Sequence, residues 1–315
     1  MKQIVTSIQA LNLLDRQRKN WVVAENNYSA LSQVKVKELS FGGFTITVQF
    51  NPARIVSSAA KVDTKSIQER KCFLCGANRP AEQEGLYFGD EYTILVNPFP
   101  IFPEHLTIPV NVHKDQRISH HYGDMLDLAQ ALDKFTIFYN GPKCGASAPD
   151  HMHFQAGNRG FLPIETEWKN VSWKVIYRQT GLNLYVLNDY LRSTFVLESE
   201  RRDEAVRVFE MIYSMLPIKD EEEEPMMNLL TWYEAGRWVT CLFPRGKHRP
   251  DCYYAEGDDN LLISPASVDF GGVFITPLEI DFNKISEKDI RTVFKEVSLS
   301  REETEKLVER IKGIL

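Results

Sequence analysis

The residues Asp150-His-Met-His-Phe-Gln155 have types and spacing that can do chemistry. On an extended strand alternate side chains point the same way, so His151, His153 and Gln155 are expected on one face, with Met152 and Phe154 turned to a core. A neutral imidazole is a competent nucleophile near neutral pH without further activation. Directly upstream, Gly141-Pro-Lys-Cys-Gly-Ala-Ser147 is a loop of small residues whose backbone N–H groups can approach a phosphate closely. Two histidines on one strand face are, taken alone, more often a satisfied pair than a site. That plain reading leaves the glycine loop, Gln155 and the upstream Cys72-Phe-Leu-Cys75 pair without a purpose.

The elements that must hold these residues can be read from local pattern. Lys35 to Phe50 alternates as a β-hairpin, with Gly42-Gly43 at its turn and Asn51-Pro52 at its end. Tyr92 to Val96 and His105 to Val110 read as strands, separated by Asn97 to Pro103, whose three prolines forbid helix. Tyr122 to Tyr139 follows a helical period whose last residues also suit a strand. Asn140 to Asp150 is a turn, and His151 to Ala156 resumes extended structure. The same order then recurs. Asn183 to Leu187 and Arg192 to Glu198 read as strands, Arg201 to Leu216 as a helix, and Met227 to Pro244 as a hairpin turning at Ala235-Gly236. Asp220 to Glu224 is expected to be a solvated acidic loop, and His120-His121 a solvated pair. Ile285 to Val297 and Ser300 to Leu315 read as closing helices, the second opened by a capping box of Ser300 and Glu303. The result is an α+β chain of two similar halves, each an antiparallel sheet with packed helices, divided as 1–170 and 171–315.

Composition narrows the function. With 315 residues, 43% hydrophobic and 25% charged, the chain can bury sizeable cores. A formal net charge of −6 argues against a general nucleic-acid binder, which needs a basic face. No membrane-length apolar run and no signal-peptide core is visible, so the expectation is a cytoplasmic protein with no membrane partner. Five cysteines, two of them in a Cys-x-x-Cys pair, suit a reduced compartment and a metal better than a disulfide framework. Cys144, Cys241 and Cys252 read as ordinary thiols.

These motifs resemble a known family. His151-Met-His153-Phe-Gln155 resembles the His-x-His-x-Gln signature of the galactose-1-phosphate uridylyltransferase branch of histidine-triad (HIT-like) proteins, which also holds diadenosine tetraphosphate phosphorylases and GDP-hexose phosphorylases. Cys72-Phe-Leu-Cys75-Gly-Ala-Asn78-Arg79 is similar to the uridylyltransferase zinc segment. Asn97-Pro-Phe-Pro-Ile-Phe-Pro-Glu-His105-Leu is similar to the substrate-side segment of the phosphorylases, and Ser264 to Gly272 to their late glycine-bearing segment. His151 to Ala156 looks most like the GDP-hexose phosphorylase version.

The resemblance implies roles. His153 would be the nucleophile that briefly carries the nucleotide, its second ring nitrogen held by a carbonyl in the Ala148 to His151 turn. Gln155 stands where hydrolytic relatives place a third histidine; an amide donates a hydrogen bond but delivers no proton, which suits exchange between phosphates. Ser147, Gly145 and the loop N–H groups would stabilise phosphoryl oxygens. Lys143, Asn78, Arg79 and Asn97 are candidate substrate contacts, and His248 sits in a cationic turn, Arg245-Gly-Lys-His-Arg-Pro250, that could reach a substrate phosphate or the sugar from the second half. A structural zinc would take Cys72, Cys75 and His151, with His113 preferred to His105 as the fourth ligand because it follows a strand. The first half would be catalytic, and the second a degenerate half completing the pocket. The implied activity passes a nucleotide from a nucleoside diphosphate sugar or dinucleoside polyphosphate to phosphate or a sugar 1-phosphate, in a monomer or a homodimer. A nucleotide hydrolase and a noncatalytic nucleotide sensor are the alternatives.

Overall fold

The computed structural model describes residues 5–55, 64–220 and 222–315. Two helices, α1 (Ser7–Asn20) and α2 (Val22–Leu31), lead into an antiparallel hairpin of β1 (Lys35–Ser40) and β2 (Thr45–Phe50). The first half then supplies β3 (Gly85–Phe88), β4 (Tyr92–Val96), β5 (His105–Pro109), β6 (Phe135–Asn140) and β7 (His153–Asn158). The second supplies β8 (Trp173–Gln179), β9 (Leu182–Leu187), β10 (Phe195–Ser199), β11 (Met227–Glu234) and β12 (Arg237–Pro244). These ten strands form one sheet in the order β3-β4-β5-β7-β6-β11-β12-β10-β9-β8.

Read inward from either edge, the sheet has the same order. Helix α3 (Tyr122–Ala131) connects β5 to β6, and α4 (Arg202–Met215) connects β10 to β11 in the same place. One unit therefore occurs twice, and β6 pairs antiparallel with β11 to join the copies, Phe138 opposite Leu230 and Asn140 opposite Asn228. The β11–β12 turn is two residues long, and Ala235 and Gly236 have φ of 48° and 81°, the left-handed pair that a tight hairpin demands.

The two faces of the sheet carry separate cores. Against one pack α1, α3, α4 and the last helix, α6 (Arg301–Lys312), around Tyr92, Ile108, Tyr139, Phe154, Leu229 and Leu242. On the other face, a three-stranded sheet of β1, β2 and β13 (Val273–Thr276), with α5 (Glu287–Val297), covers the second half. Gln155, Phe138, Leu230 and Cys241 are cross-strand neighbours on that face. In the second half the surface is filled by Val239, Cys241 and Phe243; in the first it is left open. The Ser300–Glu303 capping box is present, with Ser300 Oγ accepting from Glu303 N at 3.2 Å. No helix among the described residues is long and apolar enough to cross a membrane.

Two expectations are corrected. His151 is not on the catalytic strand: β7 begins at His153, and the preceding residues bend because Met152 exchanges backbone hydrogen bonds with Lys114 and Val110. The acidic run is not solvated throughout either. Glu222 reaches Lys143 at 2.5 Å, Glu223 pairs with Arg117, and Glu224 is buried. The buried methionines 226 and 227 draw the segment inward across the seam, where Arg117 and Lys143 offer opposite charge. The Glu224 carboxylate accepts from Ile118 N at 2.9 Å and from the Tyr139 hydroxyl.

Burial pushes the Glu224 carboxyl up to about 7. A carboxyl with a raised folded pKa holds its proton more tightly when folded. Its contribution is present below the unfolded pKa of about 4.3 and is lost as pH rises through the folded value. Urea unfolding at pH 5 and pH 7.5 should therefore show a stability difference, up to about 3 kcal/mol in favour of pH 5 from this group, that shrinks in Glu224→Gln. At the seam, Leu230→Ala should cost about 2–5 kcal/mol in the same assay, because the fully buried side chain leaves a cavity between two rigid strands.

Candidate active site

His153 opens β7 and is only 3% exposed. Its Nδ1 lies 2.8 Å from the carbonyl oxygen of His151. A carbonyl only accepts, so Nδ1 carries the proton and Nε2 keeps its lone pair. Burial pushes the imidazole down to about 4, which keeps it neutral at physiological pH. The backbone of His153 is held as firmly as its ring. Gln116, buried behind it, accepts from His153 N at 2.7 Å and donates to His153 O at 3.0 Å and to Asn140 O at 2.9 Å.

Gln155 is oriented by two donors. His105 Nδ1 accepts from Ile101 N at 3.1 Å, so its Nε2 carries the proton and donates to Gln155 Oε1 at 3.1 Å. Asn97 Nδ2 also points to that oxygen at 3.3 Å. With Oε1 engaged, the Gln155 amide nitrogen is left as the free donor. Asn97 itself is fixed because its Oδ1 accepts from Phe99 N at 2.9 Å, in the proline-rich crossing.

The 141–147 loop is clamped by the second half. Asn228 Nδ2 donates to Cys144 O at 2.8 Å and to Asn140 Oδ1 at 2.9 Å, while the buried Arg245 guanidinium donates to Asn228 Oδ1 at 2.6 Å. Gly145 has φ +97°, and a Cβ there would lie 2.4 Å from Ala266 Cβ, so only glycine lets the loop approach that neighbour.

Between these parts lies a cavity of 790 Å³. His153, Gln155, Asn97, Gly145 and Ser147 line it, and so do His248, Arg249 and Ser264 from the second half. The cationic turn thus reaches the cavity. Burial, followed by the nearby charges of Arg249, Arg245 and Lys143, pushes His248 down to about 4. Arg54 and Arg70, which carried no signal in the sequence, add cationic groups to the wall. Arg54 Nε is buried without a hydrogen-bond partner among the described residues. Other sequence candidates lie elsewhere. Lys143 is outside the lining and paired to Glu222, Asn78 Nδ2 donates to Cys72 O at 2.9 Å, and Arg79 Nε donates to Leu74 O at 2.9 Å. The last two brace the cysteine turn. Their polar atoms face inward because that short turn exposes carbonyls its own backbone cannot satisfy.

Cys72, Cys75, His113 and His151 form a separate cluster, their ligand atoms all within 4.8 Å of one another. His151 Nδ1 is 3.2 Å from Cys72 Sγ, and His113 Nδ1 is 3.2 Å from Cys75 Sγ. His151 Nε2 donates to Val110 O at 2.8 Å, which turns the Nδ1 lone pair towards the sulfurs. Burial, then the Cys72 sulfur beside it, pushes the Cys75 thiol up. A dication among the four would favour both thiolates, and two sulfurs with two imidazole nitrogens are a donor set suited to zinc. His105, the rival ligand, is fully buried and hydrogen-bonded to Gln155 instead.

Two family models match consecutive parts of the chain: a domain of unknown function (DUF4922) over residues 13–158, and a GDPGP1-like C-terminal domain over 166–315. Diadenosine 5′,5‴-P1,P4-tetraphosphate phosphorylase 2 of Saccharomyces cerevisiae is 30% identical over 126 residues, a stretch that covers 35% of this chain and 38% of that protein. The crystal structure of yeast Ap4A phosphorylase Apa2 superimposes with a TM-score of 0.63 at 17% identity, covering 95% of this chain and 99% of that one. The same enzyme in complex with Ap4A gives 0.58 at 17% identity, again over 95% of this chain and 99% of that one. The two-unit sheet is thus the fold of that phosphorylase. The chain matches a GDPGP1-like domain over its second half and shares the fold of yeast Ap4A phosphorylase along nearly its whole length.

Proposed function

We propose that the chain is a nucleotidyltransferase or phosphorylase that takes a nucleotide from a dinucleoside polyphosphate or nucleoside diphosphate sugar onto His153 and passes it to phosphate or a sugar 1-phosphate. One observation carries the reading: a neutral imidazole, proton fixed on Nδ1, in the wall of a cavity it shares with a glycine loop and an oriented amide. Nε2 attacks the α-phosphorus, a phosphorus–nitrogen bond forms, and the bond to the bridging oxygen breaks with its electron pair leaving on the second phosphate. As the ring becomes cationic, the His151 carbonyl stabilises the Nδ1 proton. The Gln155 amide donates to a nonbridging oxygen, and the loop N–H groups near Gly145 and Ser147 face the others. The acceptor phosphate then attacks the same phosphorus and frees His153. No general acid is needed, because both leaving groups are phosphates or an imidazole. The yeast enzyme seen with Ap4A supports a nucleotide in this cavity, and the GDPGP1-like match over the second half supports a sugar nucleotide.

Zinc at the cysteine–histidine cluster would supply a crosslink between residues 72–75, His113 and the bend before β7, with no step of the reaction passing through it.

Incubation with radiolabelled Ap4A and GDP-hexose should leave acid-labile, base-stable label on the wild-type protein. His153→Ala should lose the label and turnover while binding nucleotide within a few-fold of wild type; persistent turnover would sink the reading. Elemental analysis should find stoichiometric zinc that Cys72→Ala removes and His105→Ala does not, with a lower melting temperature for the zinc-free protein.

A further inference from the structure

The ladder between β6 and β7 runs from Phe135 opposite Asn158 to Phe138 opposite Gln155, and then stops. The next hydrogen-bonded rung would join Asn140 to His153 directly. A side chain occupies that rung. The carboxamide of Gln116 takes the His153 N–H on its oxygen and gives its nitrogen protons to the carbonyls of His153 and Asn140. Gln116 is itself 0% exposed, and its own N–H donates to Pro149 O at 3.0 Å. On its other edge the start of β7 meets Pro109, which has no N–H to offer.

A primary amide has the donor and acceptor of a peptide group, so the strands are held apart by the width of one carboxamide while the His153 N–H and the carbonyls of His153 and Asn140 stay paired. The opening is where it matters. Asn140 is the last residue before the 141–147 loop leaves β6, and His153 is the first residue of β7. The spacing set by Gln116 therefore determines how far the loop N–H groups stand from the imidazole. Gln116 also follows His113 by three residues, which ties the rung to the cysteine–histidine cluster. The sequence around it, Lys-Asp-Gln-Arg, gives no hint of this.

We propose that Gln116 is the positioning residue of the nucleophile: by standing in for one rung of the sheet it holds the His153 backbone where Nδ1–H meets the His151 carbonyl and Nε2 faces the loop. It does not touch substrate. The rate consequence rests on the nucleotidyl-transfer reading above; the effect on the tautomer does not. A displacement of about 1 Å in an aligned reactant costs on the order of a hundredfold in rate.

The test uses full-length Gln116→Met, which keeps volume and removes the amide, beside Gln116→Glu, which keeps shape but as a carboxylate cannot donate to the two carbonyls. Label transfer from radiolabelled Ap4A and GDP-hexose is followed in single turnover, AMP and GDP affinity by calorimetry, and the His153 tautomer by nitrogen NMR of histidine-labelled protein. The expected result is label formation slowed roughly a hundredfold, nucleotide affinity within about threefold of wild type, and a His153 spectrum changed from one tautomer to a mixture. Variants that label at the wild-type rate with the same tautomer overturn the proposal. So does a rate loss accompanied by an equal loss of affinity with the tautomer unchanged, which is what a merely structural residue would give. Failure of the wild type to take label overturns the nucleotidyl-transfer reading instead, and the tautomer comparison still decides on Gln116.

Discussion

The hydrogen bond from His153 Nδ1 to the carbonyl of His151 is the constraint to which the rest of the site answers. It selects the tautomer, and with burial it leaves an uncharged ring with one free nitrogen at the cavity. The bond requires the carbonyl of one residue to lie beside the ring of the residue two positions later, which a regular strand does not provide. The chain must bend before β7. Three anchors make that bend: the backbone bonds of Met152 to Lys114 and Val110, the His151 ring between the Val110 carbonyl and the thiols, and the Gln116 carboxamide on His153. All three act within the stretch 151–153, so the cysteine–histidine cluster and the nucleophile are anchored through the same few residues although they form separate sites.

The duplicated sheet explains why a site exists on one half only. Lateral neighbours on the shared face run from Gln155 through Phe138 and Leu230 to Cys241. In the second half the small sheet and α5 seal that face with aromatic and aliphatic packing. In the first half the corresponding space is the cavity, roofed at one side by the turn that bears His248 and Arg249. The second half has thus exchanged a pocket for a core, and the rigidity gained reaches the first half through Arg245, Asn228 and the Cys144 carbonyl. A loop that cradles an anion needs its N–H groups fixed before the anion arrives, and a buried arginine with satisfied donors does this without putting its charge in the cavity.

Legibility in the sequence followed the range of the interaction. Alternation, prolines and the Ala235-Gly236 pair act within a few residues, so the hairpins, the helices after β5 and β10, and the repetition of order could all be read. The weak edges could not: β3 and β8 are half-exposed strands with mixed patterns. His153, Gln155, Asn97 and the loop stood out because their chemistry is carried by local spacing. Lys143, Asn78 and Arg79 stand out for the same reason, as polar residues next to these motifs, but their partners, Glu222 and two carbonyls, are decided by tertiary folding. The acidic run looked solvated because nothing local shows Tyr139 and Ile118 converging on Glu224. Gln116 and Arg54 are single polar residues in unremarkable context, and only the assembled sheet shows what they face. His105 competes with His113 as a metal ligand in the sequence because histidine type is visible there and ring direction is not.

Residue type at position 155 is also what separates the chemistry of this site from that of a hydrolase. A histidine there could carry a proton to a poor leaving group; the amide cannot, whichever way it turns. Its neighbours fix the orientation as well. His105, kept neutral by burial, has its Nδ1 occupied by the Ile101 N–H, so its Nε2 can only donate, and it donates to the Gln155 oxygen. Flipping the amide would set its N–H groups against the buried His105 donor, at a cost of about 1–3 kcal/mol for the group left unpaired. On the nucleotidyl-transfer reading, the site is therefore committed to groups that depart as stable anions: Gln155 makes the commitment, and His105, two strands earlier, aims the amide N–H at the cavity.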